Sequence, residues 1–226
     1  MAAAQELPSS SSGSGNLEDI VVTAQRRDQR LQDVPISLTA LTDSSIKAAG
    51  IMDTAAFNGM VPSLVVTQSG PSSLYFIRGA GSAIAAANGE QAVAVYIDGV
   101  YIYSPVGNIF PINSDIQRIE VLKGPQGTLF GRNATAGVIQ IITKDPQLSP
   151  AVEASAGYGN YKTFTGNVYA TTGIAEGLSA NISVYAKRMS DGLGTNIFDG
   201  SEIYKTDQTA IRTKWLWEPA DGTEIR

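Results

Sequence analysis

Gln117-Arg118-Ile119-Glu120-Val121-Leu122-Lys123-Gly124-Pro125-Gln126-Gly127-Thr128-Leu129-Phe130-Gly131-Arg132-Asn133-Ala134-Thr135-Ala136-Gly137-Val138-Ile139-Gln140-Ile141-Ile142-Thr143-Lys144 is the stretch on which the fold turns. It holds most of one β-branched, apolar run, at 116–122, and all of another, at 138–143, and runs of this kind bounded by turn residues read as strands. Between them Gly124, Gly127, Gly131 and Gly137 mark sharp turns or close backbone approach. A phosphate-binding loop is excluded, because no Gly-Lys-Ser/Thr ending is present to hold a phosphate and magnesium. The other glycine-rich piece, Gly79-Ala80-Gly81-Ser82-Ala83-Ile84, lacks the last glycine of a dinucleotide fingerprint and opens no obvious helix.

Outward from this stretch, further apolar runs at 36–41, 64–67, 74–77 and 93–97 read as strands. Asp43 is placed to cap a helix over 44–49 that Gly50 ends, and Asp53 to cap a second turn or two before Pro62. Residues 34–144 are therefore expected to form an α+β domain. Upstream, Pro8 to Asn16 is small and polar, a flexible tether. The run from Leu17 to Ala24 then reads as a short isolated strand without a local partner, free to pair with another protein's sheet edge or to form an edge of its own domain.

After Pro146 the texture changes to period two. Leu178, Ala180, Ile182, Val184 and Ala186 form an apolar face opposite Ser179, Asn181, Ser183, Tyr185 and Lys187. The same alternation runs from Phe164 to Ala170 and from Thr209 to Trp217, with Gln208, Arg212, Lys214 and Glu218 on the polar side. Four strands are expected, the first at 152–158, with short connections at 159–162, 172–177 and 219–222 and a long one at 188–206. In an outer-membrane barrel the long connection is external, which runs the first strand outward. A soluble antiparallel sandwich would alternate in the same way.

Composition narrows the function. With 16 basic against 21 acidic residues the chain lacks the basic excess of a nucleic-acid binder. The absence of His and Cys removes zinc sites of those ligands, Ser-His-Asp and Cys-His triads and disulfides. Asp98, Asp115 and Glu120 are expected as turn-formers or ion-pair members, since no nucleophile, metal cluster or base accompanies them. No run approaches the ~20 apolar residues of a membrane-spanning helix, which leaves a β-barrel open. Met1-Ala2-Ala3-Ala4-Gln5 fits a start Met set just after a small-residue signal cleavage site, or an ordinary N-terminus.

Residues 117–144 resemble the plug signature of TonB-dependent receptors. Phe76-Ile77-Arg78-Gly79 is similar to that family's IRG strand end and Val95-Tyr96-Ile97-Asp98-Gly99-Val100-Tyr101 to its Y-x-D-G-V strand and turn, in the family's order. Glu18-Asp19-Ile20-Val21-Val22-Thr23-Ala24 resembles the TonB box; Gln140 departs from the family's usual Asn. The resemblance implies an α+β plug followed by an antiparallel transmembrane barrel of about 22 strands, of which residues after Pro146 supply four or five. The chain is then a fragment of a longer receptor, a truncated gene product or one part of a split one.

It further implies a flexible segment with the box (1–33), a plug (34–145) and the first barrel strands (146–226). The box would add as a strand to the C-terminal domain of TonB. Arg78 and Lys123 would pair with barrel carboxylates. Loops around 68–73, 80–91 and 101–113 would face the ligand, with Gln68, Asn88, Tyr101, Tyr103, Asn108 and Phe110 as contacts. The expected activity is energy-coupled uptake of a scarce large solute, such as a siderophore, cobalamin or glycan, across the bacterial outer membrane. No catalysis, metal or cofactor is called for, and the partners are TonB, outer-membrane lipid and a small-molecule or oligosaccharide ligand. The alternative is a non-transporting periplasmic or surface ligand-binding module.

Overall fold

Alternation of β-branched residues with turn glycines produces a chain that is mostly strand. The computed structural model describes residues 20–24, 26–51, 57–69, 72–83, 90–103, 115–220 and 222–225. Strands β1 (Val21–Val22) and β2 (Gln29–Arg30) form a small antiparallel hairpin. Strand β3 (Leu38–Thr42) runs directly into helix α1 (Asp43–Ala48). Its cap is Thr42, whose Oγ1 accepts from the Ser45 amide at 3.3 Å. That is one residue before the expected cap, and it leaves Asp43 in the first turn, where its charge favours the helix dipole. The second helix expected at Asp53 lies outside the described residues.

Strands β4 (Leu64–Ser69), β5 (Ser72–Ile77) and β6 (Ala80–Gly81) make a three-stranded antiparallel sheet. Next come β7 (Val93–Ile97), β8 (Val100–Tyr101), β9 (Ile116–Lys123), the one-turn helix α2 (Gly127–Phe130) and β10 (Gly137–Thr143). They join β3 in a sheet of order β3-β9-β10-β7-β8, in which only β10 and β7 are parallel. Side chains alternate across it, so one face buries Ile119, Val121, Ile139 and Ile141 with α1 and the β4–β5 strands. The opposite face buries Leu122, Val138 and Tyr96 with Val22, Ala24 and Phe130.

A second large sheet follows: β11 (Ala151–Gly159), β12 (Thr163–Ala175), β13 (Leu178–Met189), β16 (Thr206–Ala220) and β17 (Thr223–Ile225), antiparallel in that order. The connection between β13 and β16 carries its own hairpin, β14 (Gly194–Thr195) with β15 (Glu202–Ile203). The sheet is open, with β11 and β17 at its edges.

Which face of this sheet is buried separates a membrane barrel from a soluble sandwich. The polar face is the buried one: Ser179, Asn181, Ser183 and Tyr185 are covered, Ser183 to 1% exposure, while Ile182, Ile211, Trp215 and Trp217 are exposed, Ile211 to 67%. A water-soluble sandwich does the reverse, because exposed apolar area costs about 25 cal/mol per Å². The apolar band from Leu178 to Ala186 covers eight residue steps, roughly 27 Å along the strand and roughly 20 Å once tilted, close to the height of an outer-membrane apolar band. Trp215 and Trp217 lie near one end of it and Tyr158 and Phe164 near the other, as interfacial girdles do.

Candidate functional site

The strand expected to be isolated is docked. Val22 and Ala24 are completely buried against Tyr96, Leu122, Phe130 and Val138, and β1 has β2 as a local partner. The Leu31 amide donates to the Ile20 carbonyl at 2.8 Å, extending the hairpin. The reason is local: Arg26 takes positive φ and its amide donates to the Thr23 carbonyl, turning the chain back on itself. The charged stretch that follows the turn thus supplies the partner strand. Glu18 and Asp19 lie outside the described residues.

Beneath Thr23 is a polar patch on an otherwise apolar sheet face. Glu120 is fully buried, opposite Ala40 on β3 and Gln140 on β10. Its Oε1 accepts from the Thr23 amide at 2.9 Å, from Thr23 Oγ1 at 3.3 Å and from Arg118 Nε at 2.8 Å. Gln140 Nε2 approaches both Glu120 Oε2 and the Thr23 carbonyl at 3.5 Å. The Arg26 guanidinium stands 5.5 Å from the centre of the Phe130 ring. The hairpin also walls a cleft of about 590 Å³ shared with Tyr96, Gln140 and Lys214.

Arg78 and Lys123 come together. Arg78 sits at positive φ in the β5–β6 turn, its amide held by the Ser63 carbonyl at 2.8 Å. Burial, and then the charge of Arg78, holds the Lys123 ammonium below its usual pKa. Among the described residues no carboxylate lies within ion-pairing distance of either side chain.

Other charges seat the first domain on the second sheet. Arg212 Nη1 meets buried Asp115 Oδ2 at 2.6 Å, and Lys214 Nζ meets Asp145 at 2.7 Å and Asp98 at 3.7 Å. Lys47 and Lys144 both reach Glu153, at 2.8 and 2.7 Å. Asn181 Nδ2 donates to the Lys144 carbonyl at 3.0 Å. These pairs escaped the sequence reading, although Arg212 and Lys214 on the polar side of β16 were a signal: inward-facing cations need partners. Asp98, Asp115 and Glu120 are all ion-paired, as expected of carboxylates without catalytic neighbours.

The expected ligand-facing residues divide. Gln68 and Ser73 are paired within β4–β5, which narrows that connection to residues 70–71. Tyr101 belongs to β8; its ring stacks at 5.4 Å on Tyr96 and its hydroxyl accepts from Asn133 at 2.6 Å, so it packs on its own domain. Tyr103 is half exposed. Asn88, Asn108 and Phe110 lie outside the described residues.

Comparison with known proteins agrees with this architecture. Residues 30–138 match the TonB-dependent receptor plug domain family. The pesticin receptor of Yersinia pestis is 29% identical over 81% of this chain, and the vitamin B12 transporter BtuB of Vibrio vulnificus 34% identical over 71%. The chain spans about a quarter of the length of these relatives, 27% and 26%. The crystal structure of the ferric yersiniabactin uptake receptor FyuA from Yersinia pestis superposes with a TM-score of 0.72 at 29% identity, covering 82% of this chain and 29% of that one. The ferripyoverdine receptor of Pseudomonas aeruginosa shares the fold alone, with a TM-score of 0.73 at 15% identity over 90% of this chain and 26% of that one. Residues 30–138 therefore belong to the TonB-dependent receptor plug domain family, and the antiparallel strands that follow resemble the start of such a receptor's barrel.

Proposed function

We propose that this chain is the coupling segment, plug and opening strands of a receptor that takes up a scarce large solute across the bacterial outer membrane, driven by TonB. The observation that carries the reading is the inverted sheet: its polar face covers the plug and its apolar face is exposed. A non-transporting soluble module would bury Ile182, Ile211 and Trp215 instead. Relatives named as transporters and receptors, not enzymes, support the same reading.

Within it, residues 1–33 form the N-terminal segment, 34–145 the plug and 146–226 the first barrel strands. Residues 18–24 are the strand offered to the C-terminal domain of TonB, pairing through main-chain groups. Docked as they are, β2 occupies one edge of β1 and Glu120 holds Thr23 at the other, so pairing requires the segment to leave the plug. Arg78 and Lys123 await barrel carboxylates, because two adjacent cations inside a lumen are costly without them. Gln68, Asn88, Tyr101, Tyr103, Asn108 and Phe110 are the candidate solute contacts, Tyr101 also packing on Tyr96 and Asn133. The solute class is that of siderophores, cobalamins or glycans.

The test is whole-cell uptake by the complete receptor of radiolabelled ferric siderophores, cobalamin and oligosaccharides, with and without a protonophore. Energy-dependent uptake of one class is expected. Binding without accumulation for every ligand, at normal outer-membrane abundance, would refute transport.

A further inference from the structure

Glu120 is a chemical anomaly in its sheet. The face it shares with Leu38, Ala40, Leu122 and Val138 is apolar, yet it carries a fully buried carboxylate at its centre. An ionised group there is costly unless paired and hydrogen-bonded. Arg118, on the same strand and the same face, supplies the pairing at 2.8 Å. The remaining bonds to Oε1 come from Thr23, through both its amide and its hydroxyl. The segment is laid so that Val22 and Ala24 rest on the apolar parts of the face while Thr23 meets the one polar patch.

The geometry points to Glu120 as a positioning residue for energy coupling: it holds Thr23, and through it the strand 20–24, on the plug until that strand is drawn off. This rests on reading 18–24 as the coupling segment. Arg118 makes the hold reversible. Because it binds Glu120 from within β9, the carboxylate keeps a partner when Thr23 leaves, and no orphan charge opposes release. The docked strand is then retained by the Thr23 bonds and the burial of two small side chains, contacts a modest pull can break. Gln140 adds a donor toward both partners, reaching from β10.

The test uses the complete receptor in outer membranes. In a complete receptor whose remaining residues are freed of Cys, as this chain is already, Ala24→Cys, at a site 1% exposed, reports undocking through its rate of maleimide labelling. Against that parent, Glu120→Ala removes the acceptor for both Thr23 bonds and should speed labelling at least tenfold, the value of a hydrogen bond to a charged group. Glu120→Gln keeps a neutral acceptor and should fall between the two. Thr23→Ala, outside the plug's sheet, keeps the amide bond to Glu120 but loses the two long hydroxyl contacts, to Glu120 at 3.3 Å and from Arg118 at 3.4 Å, and should speed labelling about threefold. Ligand binding should stay unchanged throughout.

Labelling of Glu120→Ala within twofold of the parent would overturn the proposal. So would loss of receptor abundance in both Glu120 variants with Thr23→Ala unaltered, which would place Glu120 in the plug's fold alone. Failure of the coupling reading is separate: it would appear as normal energised uptake by Val21→Pro, whatever the labelling rates.

Discussion

Replacing Val21 by proline separates docking from coupling, because the docked hairpin leaves the main-chain groups of Val21 unused whereas an added partner strand would need them. The Leu31 amide bonds to Ile20, so antiparallel alternation points the main-chain groups of Ile20 and Val22 at β2 and those of Val21 away from it. Proline at 21 therefore removes no bond of the docked hairpin. It does remove an N–H from the outward edge, along which a partner strand would add. The lost ladder bond is worth about 1 kcal/mol, and the partner carbonyl left unmatched costs about 1–3 kcal/mol more. Together, about 2–4 kcal/mol weakens engagement roughly 30- to 700-fold. The assay is energised whole-cell uptake of the native solute beside equilibrium binding, with outer-membrane abundance checked. Uptake should be lost, binding kept, and Val21→Ala should transport normally. Normal uptake by Val21→Pro at normal abundance would refute the assignment of residues 18–24.

Four further outcomes are expected. Arg212→Ala leaves the Asp115 carboxylate buried without its cation and should cost about 3 kcal/mol in denaturant unfolding of the complete receptor; adding Asp115→Asn should recover most of it, and strict additivity of the two would deny the pairing. Ile182→Arg places a charge on the exposed apolar face and should cost about 2–4 kcal/mol of membrane stability, seen as lost heat-modifiable outer-membrane receptor; normal insertion would contradict the orientation of the sheet. Gly137→Ala drives a Cβ into the Leu122 carbonyl and to 2.7 Å from Ile77 Cδ1, so the plug should lose about 2 kcal/mol or more and its resistance to limited proteolysis; an unchanged digestion pattern would count against that approach. Arg78→Ala should raise passage of a small antibiotic by loosening the plug's seat, and unchanged passage at normal abundance would remove Arg78 from that role.

Much of the fold was legible before any coordinates. The runs at 93–97, 116–122 and 138–143 became β7, β9 and β10 with bounds moved by no more than one residue, since β-branched stretches between glycines have few other conformations open to them. The 146–226 strands were equally plain, because period two is a direct print of the pleat. Where the reading slipped, a contact outweighed a local rule. Thr42 rather than Asp43 caps α1, its hydroxyl placed by the end of β3. The run ending at Ala24 was expected to lack a local partner, but the turn at Arg26 folds the polar residues after it back as β2.

Sequence alone determined the order of elements, the α+β character of the plug, the alternating strands after it and the absence of His and Cys chemistry. It could not decide which face of those strands is wet, because alternation is the same in a sandwich and a barrel; only the burial of Ser179, Asn181, Ser183 and Tyr185, with Asn181, Arg212 and Lys214 bonded to the first domain, shows that the apolar side is the exposed one. Nor could it place Thr23 on Glu120, 97 residues away, or Asp115 on Arg212 at the same separation. Such pairs are set by sheet order and by how one sheet lies on another, and a long-range contact leaves no periodic mark on the residues that make it.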